Sequence, residues 1–247
     1  MHKSSVRLAA VHADELLDER TLPYDVEAVA RSVSRWPGAR VCYEAGPTGF
    51  GLYRHLVARG IACEVVAPGS VPARPGDRVK TDRRDARRLA RLHAGGLLEA
   101  IWVPGVELEA LRDLVGARED ARLDRMRDRH RTSKFLLRHE RRIPGRSWGV
   151  KRRKWLGDQR FERLAEQLAF DTYVHALDLV DARIAVLQRQ IAALAVEGEW
   201  APLVARLRCL RGVDTLTAVG LVCEIGDFGR FGRAEEFMSF VGLVPSE

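Results

Sequence analysis

"ARVCYEAGPTGFGLYRHLVARGIACEVVAP", residues 39–68, carries the reading of the fold. ARVCYEA (39–45) is a short aliphatic run of the kind that forms a buried strand, and GPTGFG after it is a turn. LYRHLVARG then reads as a helix stopped by glycine, and ACEVVAP (62–68) as a second strand closed by proline. Further on, LLEAIWVP (97–104) reads as another strand. Strands alternating with helices at this spacing predict an α/β layer with parallel strands over the first hundred residues.

Between the second and third of these strands lies KTDRRDARRLARLHA, residues 80–94, a helical pattern that opens with Asp82 and Asp85. Side chains at i and i+3 are neighbours, with roughly 5–6 Å between Cβ atoms. Two readings fit the pair. Asp82 can cap the helix with Asp85 at its third position, or the two carboxylates can clamp a hard divalent cation. Glu44 stands at the carboxyl end of the 39–45 strand, where ligand groups collect in open α/β sheets. If the three elements are neighbours, Glu44, Asp82 and Asp85 converge. Each pair at ~5.5 Å then repels by about 3 kcal/mol at an effective dielectric of 20. Arg83, Arg84, Arg87 and Arg88 offset part of that, and a metal would offset more.

The chain has 247 residues, enough for one sizeable core or two modest ones. No apolar run approaches the ~18 residues of a membrane span, and the first fifteen residues lack the apolar run of a secretory signal. Cys42, Cys63, Cys209 and Cys223 are widely spaced among aliphatic neighbours, which predicts reduced thiols in a cytoplasmic protein. The net charge of +7 is concentrated: residues 122–160 hold 15 Lys+Arg against 4 Asp+Glu, a local +11. Positive charge gathered in this way is the footprint of a polyanion binder.

After Pro104 the strand patterns end. Residues 107–140 read as one long charged helix, and RRIPGRSWGVKRRKW (141–155) breaks it. That loop places Arg141, Arg142, Arg146, Lys151, Arg152, Arg153 and Lys154 around Trp148 and Trp155, a pattern suited to phosphates and unpaired bases. A second long helix follows, in which Tyr173, Leu177, Val180, Ile184, Leu187, Ile191 and Leu194 recur at alternating steps of four and three. This is a coiled-coil seam. It suits an antiparallel helical arm that also pairs with another subunit, while a core stripe inside a bundle gives the same spacing. Near the end, LRCLRGVDTLTAVGLV resembles a helix–hairpin–helix, with Gly212 in its turn and Thr215 opening the second helix toward a phosphate. Asp214 stands where that pattern has a second glycine, and its charge opposes a phosphate.

The stretches VCYEAGPTGFGLYRHL, RPGDRVKTDRRDARRLARL, LRDLVGARED, SKFLLRHE, APLVARLRCLRGVDTLTAVGLVCEIGDF and GLVP together resemble the bacterial insertion-sequence transposases of the DEDD type. The resemblance runs from about residue 14 to the last residue. It implies an RNase H/RuvC-like α/β domain at 1–104, a helical coiled-coil arm at 105–200 and a small all-α transposase domain with the helix–hairpin–helix-like motif at 201–247. It further implies a DNA recombinase whose acidic residues bind Mg²⁺, with Glu44, Asp82 and Asp85 matching three members of the acidic quartet. Family members also use a serine nucleophile in the C-terminal domain, and some are directed by a structured bridge RNA.

In two respects the chain departs from the pattern. The family's first aspartate lies on an N-terminal strand of the form GIDVAK, whereas VRLAAVHADELLDER resembles the following strand with Asp14 in its turn. The serine is expected in a Ser-Gly stretch beyond GLVPSE. The expectation is therefore a transposase shortened at both ends, with a non-catalytic, nucleic-acid-binding and oligomerising remnant as the alternative.

Overall fold

The computed structural model describes residues 5–72, 82–145 and 148–243. Mostly helical, the chain divides into a unit at Met1–Val103 and a unit at Pro104–Glu247.

In the first unit, β1 (Ser5–His12) and β2 (Glu15–Pro23) form an antiparallel hairpin. Ala13 and Asp14 turn it at φ 46° and 68°, the positive-φ pair that a two-residue hairpin turn demands. Pro23 ends β2, and Asp25 caps α1 (Val26–Val33) by accepting from the amides of Glu27 at 3.1 Å and Ala28 at 3.3 Å. β3 (Val41–Glu44), α2 (Gly51–Ala58) and β4 (Cys63–Val66) then form a β–α–β unit in which β3 and β4 pair in parallel, Val41 opposite Cys63 and Glu44 opposite Val66. The core joins Val6 of the hairpin to Val29, Ala30 and Val33 of α1, Tyr43, Leu52, Leu56, Cys63 and Val65.

Two expectations are corrected here. Parallel pairing is confined to β3 and β4, and among the described residues the strands form two separate two-stranded sheets, not one layer. LLEAIWVP is not a strand either. It touches β4 through one antiparallel bridge, Val66 to Ala100, with the Ile101 amide donating to the Val65 carbonyl at 2.7 Å. Ile101 and Val103 pack on the core, but Leu97 is 64% exposed, so the apolar run is not buried along its length. Helix α3 (Asp82–Ala94) completes the unit.

The second unit is built on α4 (Val106–Arg138) and α6 (Leu164–Glu197), which run antiparallel: Phe135 and Leu136 pack near Phe170 and Tyr173, while Ala121 packs near Val180, Ile184 and Leu187. Short α5 (Val150–Gly157) sits in their connection, with Leu156 buried beside Phe135. α7 (Ala201–Leu207), α8 (Thr215–Ile225) and α9 (Ala234–Phe240) follow. Arg112 of α4 donates to the carbonyls of Cys223 and Glu224, tying α8 to the arm. The predicted seam is thus filled within the chain. Leu177, Val180, Ile184 and Ile191 are buried, Tyr173 and Leu187 half-buried, and Leu194 exposed. Tyr173, Val180, Ile184 and Leu187 pack toward α4, while Leu194 remains open to solvent.

Candidate functional site

Helix α3 owes its position to its arginines. Arg87 donates through Nη2 to Glu19 on β2 at 2.6 Å and through Nε at 3.1 Å, and Arg83 donates through Nε to the same carboxylate at 2.6 Å. The hydrogen bond from Arg87 above all holds the Glu19 carboxyl below its ordinary value of 4.5. Arg91 reaches Asp14 in the hairpin turn at 3.2 Å. Toward β4, His93 Nε2 meets Glu64 at 3.1 Å, and that carboxyl too is lowered, first by its bond from Arg40 and then by His93. The Cys42 thiol lies 3.9 Å from the Leu89 carbonyl. Burial pushes this thiol, and that of Cys63, up to about 12. Arg83, Arg87 and Arg91 therefore tether α3 to the β1–β2 hairpin, and His93 ties it to β4. Sequence reasoning missed Glu19, which nothing in ELLDERTLP sets apart from its acidic neighbours Glu15 and Asp18.

This placement puts Glu44, Asp82 and Asp85 on the wall of one cavity of ≈ 870 Å³. Glu44 ends β3 and is half-buried; the amide of the next residue, Ala45, donates to the Val66 carbonyl at 2.8 Å. Gly49, at φ 64°, turns the chain beyond it. Asp82 is exposed and Asp85 half-buried, both in the first turn of α3. Asp82 is the first helical residue, and residue 81, where a cap would sit, lies outside the described residues. All three donors are hard oxygens, the chemistry Mg²⁺ prefers. Among the described residues, however, no group of three or more His, Cys, Asp or Glu stands ready to hold a metal ion. The donor set suits the ion, while its arrangement offers at most a two-carboxylate anchor.

The basic loop is more engaged than its sequence suggests. Arg152 is buried at 7% exposure, donates to the Gly145 and Pro144 carbonyls, and lies 4.7 Å over the Trp148 ring. Arg129 also sits over that ring, at 5.3 Å, and its own pKa is lowered by desolvation and then by Arg125. Trp148 is therefore packed by two guanidinium groups and half-buried. Arg153 pairs with Asp178 and, at 2.8 Å, with Asp181. Arg141 donates to Gln159 at 3.1 Å and lies 3.9 Å over Phe161. Arg146 lies outside the described residues. Among the described residues of 122–160, six exposed cations enter no ion pair; Arg138 lies 5.4 Å over Phe135 and Arg160 donates to the Gly157 and Gln159 carbonyls at 2.7 Å, which leaves Lys134, Arg142, Lys151 and Lys154. Lys134 lies outside the loop but within the basic stretch 122–160 that the sequence singles out.

At the second candidate phosphate site, Gly212 turns at φ 85° and Thr215 opens α8. Asp214 caps that helix, accepting from the Thr217 amide at 2.7 Å, and this bond holds its carboxyl below the ordinary value of 3.8. One of the amides at this helix start, that of Thr217, is thus taken by the chain's own carboxylate.

Residues 204–247 match the model of the transposase IS116/IS110/IS902 family. The transposase for insertion sequence element IS1533 of Leptospira borgpetersenii is 34% identical over 245 residues, 94% of this chain and 71% of that protein. The chain belongs to the IS116/IS110/IS902 transposase family. A Sinorhizobium fredii protein with a transposase name, y4qE, is 42% identical over 221 residues, 89% of this chain and 53% of its own length. The transposase for element IS1111A of Coxiella burnetii is 25% identical over 210 residues, again with 53% of its length covered. The chain thus spans about half the length of two of these transposases. As in the expectation from sequence, no helix among the described residues is long and apolar enough to cross a membrane.

Proposed function

We propose that this transposase-family chain acts on DNA through an RNase H/RuvC-like first unit, with Glu44, Asp82 and Asp85 as its acidic set. The observation that carries the reading is the shared cavity wall of these three carboxylates, on elements tethered by Glu19 and Glu64. Asp82 and Asp85 would anchor Mg²⁺, with Glu44 across the cavity and with water and DNA phosphate completing the shell, as Mg²⁺ sites built on one or two carboxylates do. When bound, the ion would supply Lewis-acid stabilisation of phosphodiester oxygens. The chain's own contribution is to hold those carboxylates in place and to seat phosphates on Lys134, Arg142, Lys151 and Lys154. Strand cleavage and rejoining, a guide RNA, and pairing with a second subunit belong to the same proposal.

Duplex binding by fluorescence anisotropy between 50 and 200 mM salt tests the DNA half. Four phosphate contacts give a slope of about −3.6 and an affinity loss of about 150-fold across that range. Replacing Lys134, Arg142, Lys151 and Lys154 with alanine should flatten the slope, and an unchanged slope would move the surface elsewhere. Mn²⁺ calorimetry on wild type and Asp82→Ala/Asp85→Ala tests the other half. Weak heats lost in the variant support the anchor, and identical heats return the pair to a helix-start role. DNA binding without cleavage by a Mn²⁺-loaded protein would favour the non-catalytic binder.

A further inference from the structure

Where α5 packs against the two long helices, the chain gathers more positive charge than it balances. Desolvation lowers the pKa of Arg129 on α4, and repulsion from Arg125 of α4 and from Arg152 and Arg153 of α5 lowers it further, with Asp181 of α6 opposing. Two carboxylates answer these four guanidinium groups. Asp181 lies 3.4 Å from Arg125 Nη1 and 2.8 Å from Arg153 Nη2, and Asp178 pairs with Arg153. The cluster thus holds two positive charges more than its carboxylates cancel.

The surplus falls on particular donors. Arg152 is 7% exposed; its Nη2 donates to the Pro144 and Gly145 carbonyls, and its Nε is buried without an acceptor. Arg129 is half-buried, 5.3 Å over the Trp148 ring, and makes no hydrogen bond or ion pair among the described residues. A desolvated cation without a partner is costly. Covering Trp148 does not demand that cost, since an aliphatic side chain at 129 would shield the indole with no charge to desolvate. Asp181 holds Arg125 and Arg153 in place, while Arg129 keeps its whole fork free.

Such a fork matches two oxygens of a carboxylate or of a phosphoryl group. A carboxylate brings one negative charge, and so does a phosphodiester. A terminal phosphoryl group brings about −1.5 to −2 at neutral pH, which alone cancels the surplus. We propose that Arg129, with Arg125 and Arg153 beside it and the charge of Arg152 beneath, forms a site for a phosphoryl dianion, carried by inorganic phosphate or by the terminal phosphate of a nucleic-acid chain. The site is separate from Lys134, Arg142, Lys151 and Lys154, which are proposed to seat phosphodiesters, and it needs no metal.

Inorganic phosphate is titrated into the full chain in EDTA, at ionic strength held constant with chloride, and followed by calorimetry and by the arginine Nε–H signals in ¹⁵N NMR. Saturable binding that moves the Arg129 signal is expected. Arg129→Gln should weaken binding by about tenfold or more, and Arg129→Lys by less, because the charge stays and the fork goes. Arg127→Gln is the control: Arg127 lies on the same helix, 61% exposed and paired with Asp124 at 3.0 Å, and its loss should change affinity by less than about twofold. If Arg129→Gln does not fold, the Arg129 signal of the wild type decides. A thymidine tetranucleotide with a 5′-phosphate or a 5′-hydroxyl separates the two sources. A preference of about tenfold for the phosphorylated form assigns the site to a chain end, and equal affinity beside saturable phosphate binding assigns it to the free ion. No saturable binding, an unmoved Arg129 signal, full affinity in Arg129→Gln, or an equal loss in Arg127→Gln would overturn the proposal. Neither the metal reading nor duplex binding bears on the outcome, since the titration holds neither.

Discussion

Replacing Ile184 with alanine asks whether the heptad seam of α6 is core or interface. Ile184 is 4% exposed and packs with Val180 and Leu187 against Ala121 of α4, which is itself fully buried. The substitution removes three carbons at about 0.8 kcal/mol each, and alanine at 121 offers no long side chain to fill the space. Transfer and cavity together predict a loss of about 3–4 kcal/mol. That is a large share of a typical total of about 5–15 kcal/mol. At about 2–4 °C per kcal/mol for a chain of this size, the melting point should fall by roughly 6–16 °C. Leu179, on the same helix but 59% exposed, is the control, and its replacement by alanine should stay within about 0.5 kcal/mol. The assay is thermal and urea unfolding followed by circular dichroism over a roughly twentyfold range of protein concentration, since stability linked to assembly changes with concentration. A loss that varies with concentration, or a fall below about 1 kcal/mol, would refute the placement of Ile184 in an intramolecular core.

The thiols give a chemical test: at pH 8, Cys209, which is exposed, should label with iodoacetamide, while Cys42 and Cys63 at about 12 and Cys223 at about 11 should label only after unfolding, as read by mass spectrometry. Glu19 has a folded pKa lowered from 4.5, so its stabilisation of α3 is full above that value and disappears as pH falls through the folded one. Amide exchange in α3 should accelerate on acidification in wild type, and Glu19→Gln should show the faster rate already at neutral pH. Asp25→Ala should cost about 1 kcal/mol by removing the cap of α1, measured by urea unfolding. Arg152→Ala should lower stability without changing the salt slope of DNA binding, because its guanidinium is spent on Trp148 and two carbonyls.

The β3–α2–β4 unit was legible because buried parallel strands are written as short aliphatic runs, and glycines mark both ends of the helix between them. LLEAIWVP carried the same spelling, yet a run of that kind becomes a strand only where a free sheet edge meets it along its length. Here it meets β4 at one bridge, which no local pattern records. The seam of α6 was readable as a period, but a period does not say whose helix fills it. On the acidic site, the sequence supplied the i, i+3 pair and the strand-end glutamate. The reason for the surrounding arginines was hidden, since their partners Glu19 and Asp14 lie more than sixty residues away in the chain. In the basic loop, composition does not record that a guanidinium donates to backbone and stacks on rings, as Arg152 and Arg141 do.

The ionic tethers of α3 have a consequence for how this molecule responds to salt. Arg91 and Asp14 are 53% and 82% exposed, and Arg83 is 60% exposed against a Glu19 that is only 10% exposed. Salt weakens the open pair first, because exposed charges are screened far more than partly buried ones. Loosening α3 moves Asp82 and Asp85 relative to Glu44, and if the basic surface seats phosphates as proposed, the same salt lifts them. The two effects multiply. Any chemistry that depends on the acidic set should therefore fall more steeply with ionic strength than affinity for DNA does, and the excess steepness should shrink when Arg91 is replaced by methionine.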